Sequence, residues 1–74
     1  MNIADRMRAR RKELGLTQAE VSRRAGMWPH DIWRFEAGRN TPNTDAIPAI
    51  ARALETTPNK LLGFDEEPAS AVNE

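Results

Sequence analysis

The stretch "LTQAEV", residues 16–21, is the feature that most constrains the fold of this 74-residue chain. Thr17 and Glu20 have the T-x-x-E spacing of a capping box, in which each side chain accepts a hydrogen bond from a backbone N–H at a helix start. Leu16 before the cap and Val21 after it are spaced to pack together as a hydrophobic staple. The sequence therefore predicts a helix that begins immediately after Thr17.

A second helix is predicted to follow this one after a sharp turn. The first of the two should cover residues 18–25, and Gly26 can adopt the positive φ that a tight turn needs. Proline is favoured at the first position of a helix, so Pro29 predicts the next helix start, with Trp28 as N-cap and Gly38 after the last residue. Two helices joined in this way form a helix-turn-helix arrangement.

Three further helices are predicted around this pair. Residues 3–14 and 45–55 carry apolar side chains at helical spacing, and residues 57–62 begin with a Thr-Pro cap and precede a glycine. Pro48 is compatible with the fourth helix only if it lies in the first turn. No strand-like alternation occurs in the sequence, so the predicted fold class is all-α.

The formal net charge of zero conceals an uneven distribution of charge. Residues 1–40 contain nine basic and five acidic residues, whereas residues 64–74, "FDEEPASAVNE", contain four acidic and no basic ones. The sequence therefore predicts a structured domain at residues 1–63, followed by an acidic and flexible tail at residues 64–74. A basic surface on the domain favours contact with the phosphates of nucleic acid.

Several classes of protein are excluded by what the sequence lacks. It has no cysteine and a single histidine, His30, so neither a disulfide nor a metal site is expected. No uncharged run exceeds six residues, which argues against a membrane span or a secretory signal and favours a cytoplasmic location. No nucleophile motif or glycine-rich phosphate loop is present. We therefore expect neither an enzyme nor a bound cofactor.

Three segments of the chain together resemble a known family: "LGLTQAEVSRRAG", "IWRFEAGRNTPN" and "IPAIARALETTPNKLLG". They are similar to the phage repressor and Cro type of helix-turn-helix domain, also called the XRE or lambda-repressor-like family, over residues 3–63. The resemblance implies a compact five-helix bundle and a transcriptional regulator, usually a repressor. It also implies binding to an inverted-repeat operator in double-stranded DNA as a homodimer, with the second motif helix, here about residues 29–37, in the major groove.

The resemblance further implies roles for individual residues. Contacts to base edges are implied for three positions of the recognition helix: Pro29, His30 and Arg34. Trp33 lies beside them and should point outward, because Ile32 and Phe35 take the buried face. We hypothesise that Trp33 contacts a thymine methyl or a sugar. Contacts to phosphates are implied for one residue at the start of the first motif helix and two in the loop after the second: Gln18, Arg39 and Asn40. Arg11 and Glu36 match a pair that forms an internal salt bridge in relatives.

Some of these residues also allow a purely structural interpretation. Trp33 could instead fold back on a helix or pack at a subunit interface. Arg34 could form a surface ion pair with Asp31, three residues earlier. His30 could simply be solvated, and Trp28 is expected to shield the turn over the core.

The acidic tail leaves a second function open. A protein-interaction module, such as the antitoxin of a toxin–antitoxin pair, would use residues 64–74 to engage a protein partner. Alternatively, the tail could compete with DNA for the basic face. Leu62 and Phe64, apolar near the end of the domain, are candidates for a dimer interface.

Overall fold

The capping box at Thr17 starts a helix as predicted, and four more helices accompany it in the computed structural model, which describes residues 2–64. The five helices are α1 (Ile3–Glu13), α2 (Gln18–Arg24), α3 (Asp31–Glu36), α4 (Ala46–Ala53) and α5 (Pro58–Leu62). No strand occurs among the described residues. The prediction of an all-α fold with five helices, two of which form a helix-turn-helix, is confirmed.

Side-chain caps explain where α2 and α5 begin. The Thr17 hydroxyl accepts a hydrogen bond from the Glu20 N–H at 3.1 Å, and the Glu20 carboxylate accepts one from the Thr17 N–H at 2.8 Å. At α5 the Thr57 hydroxyl alone acts as the cap, accepting a hydrogen bond from the Lys60 N–H at 3.2 Å, with Pro58 as the first helical residue. Gly63 then ends α5 in the left-handed region at φ 86°. These termini are therefore fixed by the local signals that predicted them.

All five helices contribute aliphatic side chains to one core. α1 packs against α3 and α5, α2 packs against α3 and α4, and α4 packs against α5. The buried residues of the core are Met7, Val21, Ile32, Ile50, Ala51, Ala53, Leu54 and Leu61. Full burial of a side chain such as Val21 or Ile32 stabilises the fold by about 1.5–3 kcal/mol. The core therefore holds α3 firmly against α1 and α2.

The start of α3 differs from the prediction. Residues 28–31 form a β-turn, because the Asp31 N–H donates to the Trp28 carbonyl at 3.0 Å. His30 has φ −87° and ψ −6°, which are the angles of the third residue of a type I turn, and proline is favoured at the second. Pro29 therefore belongs to the turn, and α3 begins two residues later and ends at Glu36.

Trp28 also departs from its predicted role. Its side chain is 79% exposed, so it does not shield the turn over the core. Its backbone N–H donates to the Asp31 carboxylate at 3.0 Å, so the cap at this turn comes from Asp31. The buried apolar contact expected of Trp28 is made by other residues near the turn, Met27 and Ile32.

The fourth helix is shorter than predicted but follows the predicted logic. Pro48 is its third residue, so the missing N–H falls in the first turn as required. The Asn43 side chain accepts a hydrogen bond from the Ala46 N–H at 2.8 Å and so serves as the cap. The helix ends before Glu55, which has a positive φ of 56°.

The acidic tail predicted at residues 64–74 lies outside the described residues except for Phe64, which is 73% exposed. None of the helices within the described range is long and apolar enough to cross a membrane.

Candidate nucleic-acid interface

The exposed side of α3 and the start of α2 enclose an open cleft of about 550 Å³. We call it the α2–α3 cleft, and its lining consists of Gln18, Ala19, Pro29, His30, Trp33 and Arg34. Ile32 and Glu36 of α3 are buried on the other side of the helix. The fold thus brings together the four residues predicted to contact bases and one of those predicted to contact phosphates.

Trp33 links the cleft to the loop that follows α3. Its side chain is 43% exposed, and the His30 ring meets it edge-on with the ring centroids 6.4 Å apart. The Arg39 guanidinium also lies over the indole, 5.4 Å from the ring centroid. A cation over an indole face is attracted by the ring quadrupole. Trp33 therefore orients Arg39, a predicted phosphate contact, beside the cleft.

Arg34 is held by an acidic neighbour. The Asp31 carboxylate accepts a hydrogen bond from Arg34 Nη2 at 2.6 Å through one oxygen, and from the Trp28 N–H through the other. The Asp31 side chain is 15% exposed, whereas that of Arg34 is 44% exposed. The ion pair considered as an alternative role for Arg34 is therefore present, while the guanidinium stays accessible at the cleft.

A buried carboxylate connects α1, α2 and α3 beneath the cleft. Glu36 is 4% exposed, and its oxygens lie 2.8 and 3.0 Å from Arg11 Nε and Nη2. Arg8 Nη2 donates to the Glu36 carbonyl at 2.6 Å. The hydrogen bond to Glu36, opposed by partial burial, raises the pKa of Arg11. The bidentate pair between Arg11 and Glu36 ties the end of α3 to α1.

Gln18 is bound to the same carboxylate, which limits what it can offer a ligand. Its Nε2 donates to Glu36 at 3.0 Å. Phosphate oxygens only accept hydrogen bonds, so the Gln18 side chain can meet a phosphate only through the second N–H of Nε2. The amide group is thus oriented by the buried network before any ligand arrives.

Other residues bear on the interface in different ways. Asn40 is exposed in the loop after α3 and does not line the cleft.

Ser22 is buried, and its hydroxyl donates to the Pro29 carbonyl at 3.3 Å, which fastens the turn to α2. No feature of the sequence indicated this contact, because a helical serine is ordinarily exposed. Within residues 2–64, no group of three His, Cys, Asp or Glu side chains could hold a metal ion.

The helical turn, the buried carboxylate network and the exposed cleft define a helix-turn-helix domain. A family model described as a helix-turn-helix domain matches residues 2–67. The chain belongs to this family, in its phage-repressor (XRE) branch.

Known proteins of the same kind are similar to the chain in sequence. The repressor protein C2 of Salmonella phage P22 is 33% identical over 63 residues, which are 85% of this chain. The chain spans only 29% of the length of that repressor. An uncharacterised HTH-type transcriptional regulator of Methanothermobacter thermautotrophicus is 46% identical over 48 residues, covering 65% of this chain and 70% of that protein.

The fold is similar to solved structures of the phage repressor. The crystal structure of the P22 c2 repressor in complex with a synthetic operator matches with a TM-score of 0.80 and 32% identity, over 88% of this chain and 98% of that one. The solution structure of the repressor's DNA-binding domain matches with a TM-score of 0.79 and 31% identity, over 82% and 80% of the two chains.

Proposed function

We propose that this chain is a sequence-specific DNA-binding transcriptional regulator, a repressor that binds an inverted-repeat operator as a homodimer. The observation that carries the proposal is the α2–α3 cleft, where α3 and the turn before it present an arginine, a tryptophan and a histidine together. The fold is that of a repressor solved with its operator. In the proposal α3 and the turn before it enter the major groove.

The cleft residues and the flanking residues would divide the work of recognition. Base edges would be read by the lining residues Pro29, His30, Trp33 and Arg34. Among these, Arg34 has the chemistry of the commonest specific contact, a bidentate pair with guanine. Phosphates would be held by Gln18, Arg39 and Asn40, which would fix the register of the protein on the duplex.

A dimer would compensate for the shortness of the recognition helix. α3 has only six residues, so one protomer can reach few base pairs. Two copies related by a two-fold axis would read two half-sites about one helical turn apart. Leu62 and Phe64, which are 38% and 73% exposed, are the proposed interface residues.

Residues 1–63 form the DNA-binding unit in this proposal, and the protein acts in the cytoplasm.

The test is selection of bound sequences from a random-duplex pool at near-physiological salt with the full-length protein. We expect enrichment of a palindrome with half-sites about 10 base pairs apart. No enrichment, together with weak binding that fades steeply as salt rises, would refute sequence-specific recognition.

Substitutions would then assign the roles. Arg34→Ala should cost about 1–3 kcal/mol of binding and relax the preference at one base position. Arg39→Ala should weaken binding to all sequences alike and lower the salt slope by about 1. Arg52→Ala, which removes an exposed charge from α4 outside the cleft, is the matched control and should leave the base preference unchanged.

A further inference from the structure

We infer that Asp31 is a positioning residue that holds the Arg34 guanidinium in the orientation needed to read guanine. This inference rests on the proposed function and deepens it, since it assigns a specificity role to a residue whose charge opposes DNA binding. Asp31 lies in the first turn of α3, next to the cleft but outside its lining.

The Asp31 carboxylate is itself fixed in place. One oxygen accepts the backbone N–H of Trp28 at 3.0 Å, and the other accepts Arg34 Nη2 at 2.6 Å. The turn formed by residues 28–31 is rigid, because it contains Pro29 and is closed by the Asp31 N–H. A carboxylate with both oxygens hydrogen-bonded cannot rotate without breaking one of these bonds. It therefore keeps the Arg34 guanidinium in a fixed position relative to the turn.

Burial of one nitrogen and the bond to Asp31 limit which donors of Arg34 remain for a ligand. Its Nε is enclosed and has no hydrogen-bond partner among the described residues. Recognition must therefore use the terminal nitrogens, Nη1 and Nη2, whose N–H groups form a two-pronged end. Guanine presents two adjacent acceptors, N7 and O6, in the major groove, whereas adenine presents an acceptor beside an N6 donor. A guanidinium held by Asp31 thus favours guanine over adenine, while a free one can turn to a phosphate.

The negative charge of Asp31 gives the inference a distinctive signature. A carboxylate beside the phosphate backbone weakens binding to every sequence. Neutralising it should therefore strengthen non-specific binding and at the same time weaken the preference for guanine. A purely structural ion pair on the helix surface would not produce this opposition, because its loss would leave the preference between bases unchanged.

The experiment uses full-length protein and the operator selected by the wild type. Affinities are measured on that operator and on single-base variants for wild type, Asp31→Asn, Arg34→Ala and the double variant. Asn keeps an oxygen that can accept the Trp28 N–H, and circular dichroism verifies the fold. Glu13→Gln is the matched control, because it removes a carboxylate from another ion pair three residues apart, with Arg10 on α1. Asp31→Glu, which keeps the charge, tests rescue.

We expect Arg34→Ala to abolish a preference for guanine at one position of each half-site. Asp31→Asn should lower that same preference about fivefold or more, the range that one bidentate contact contributes, and should strengthen non-specific binding. The double variant should discriminate no worse than Arg34→Ala, Asp31→Glu should recover part of the preference, and Glu13→Gln should keep all of it.

Two results would overturn the inference while leaving the function intact: an unchanged guanine preference in Asp31→Asn, or a preference in Arg34→Ala equal to that of the wild type. A wild-type protein that enriches no sequence would instead refute the proposed function itself.

Discussion

Removal of Arg11 should destabilise this fold more than removal of any exposed arginine. Its guanidinium contacts both oxygens of Glu36, whose side chain is only 2% exposed, and Nη1 donates to the Leu16 carbonyl at 3.0 Å. Breaking a buried ion pair by removing one partner costs about 3–5 kcal/mol, because the other charge is left buried and unpaired. Gln18 and Arg8 remain near the carboxylate, at 3.0 and 3.8 Å, so we place Arg11→Met at about 3 kcal/mol.

That loss is large for a domain of this size. At the usual 0.05–0.15 kcal/mol per residue, 74 residues give a total of about 4–11 kcal/mol. Urea unfolding followed by circular dichroism should show a lower midpoint with an unchanged slope. The melting temperature should fall by roughly 12–24 °C, at about 4–8 °C per kcal/mol for a small domain.

The partner substitution separates the ion pair from simple packing. Glu36→Gln neutralises the buried carboxylate, so Arg11→Met combined with Glu36→Gln should be at least about 1 kcal/mol more stable than the sum of the two single effects predicts. Arg23→Met, at an exposed position of α2, is the control for loss of a positive charge and should stay within about 0.5 kcal/mol of wild type. A loss below about 1 kcal/mol for Arg11→Met, or strictly additive effects in the double variant, would refute this reasoning.

Three further predictions concern helix ends. The Thr17 backbone N–H, and then its hydroxyl, lower the pKa of Glu20 below 4.5. The stability that this carboxylate contributes is therefore present above pH 4.5 and lost as the pH falls through the lowered value. Glu20→Gln should flatten this acid dependence of stability in urea melts. An unaltered dependence would contradict the assignment. Glu55→Gly should raise stability by about 0.5–1 kcal/mol in thermal melts, because Glu55 has a φ of 56° and glycine adopts this angle without strain. The ion pair lost, with Arg24, is exposed and contributes little. A lower melting temperature would contradict this prediction. Gly63→Ala should cost about 1–2 kcal/mol in urea melts, because φ is 86° and the new Cβ would lie 2.6 Å from the Arg6 guanidinium. Gly38→Ala, with φ 78° and open space around it, is the control and should cost less; equal losses would show that Arg6 simply moves aside.

The sequence predicted those parts of the fold that local chemistry determines. The capping hydroxyls of Thr17 and Thr57 and the glycine at residue 63 act within one or two turns of the chain, so their spacing alone locates helix ends. Pro29 misled the prediction because its fixed φ suits both the first residue of a helix and the second residue of a type I turn.

The spacing that suggested the Arg34–Asp31 pair did not reveal other contacts that shape the interface. Two hydrogen bonds stabilise the turn at Pro29. The Asp31 carboxylate accepts one from the Trp28 N–H, and the Ser22 hydroxyl on α2 donates the other to the Pro29 carbonyl. The cation–π contact between Trp33 and Arg39 depends on the path of the loop after α3. The Ser22 and Arg39 contacts link residues of different elements that the fold brings together, so only the three-dimensional structure reveals them.

The two arginines at the candidate interface are both held in place by neighbouring side chains before any ligand binds. This order affects how strongly the chain can bind DNA in the proposed complex. Arg34 is held by Asp31, and Arg39 lies on the Trp33 indole. Ordering a long side chain on binding costs about 0.5–1.5 kcal/mol, so two arginines ordered in advance spare the complex about 1–3 kcal/mol of that cost. Because α3 offers only six residues, little direct contact is available to offset such a cost. In the proposed complex we therefore expect Asp31 and Trp33, which order these two arginines, to influence affinity and base preference along with the arginines themselves.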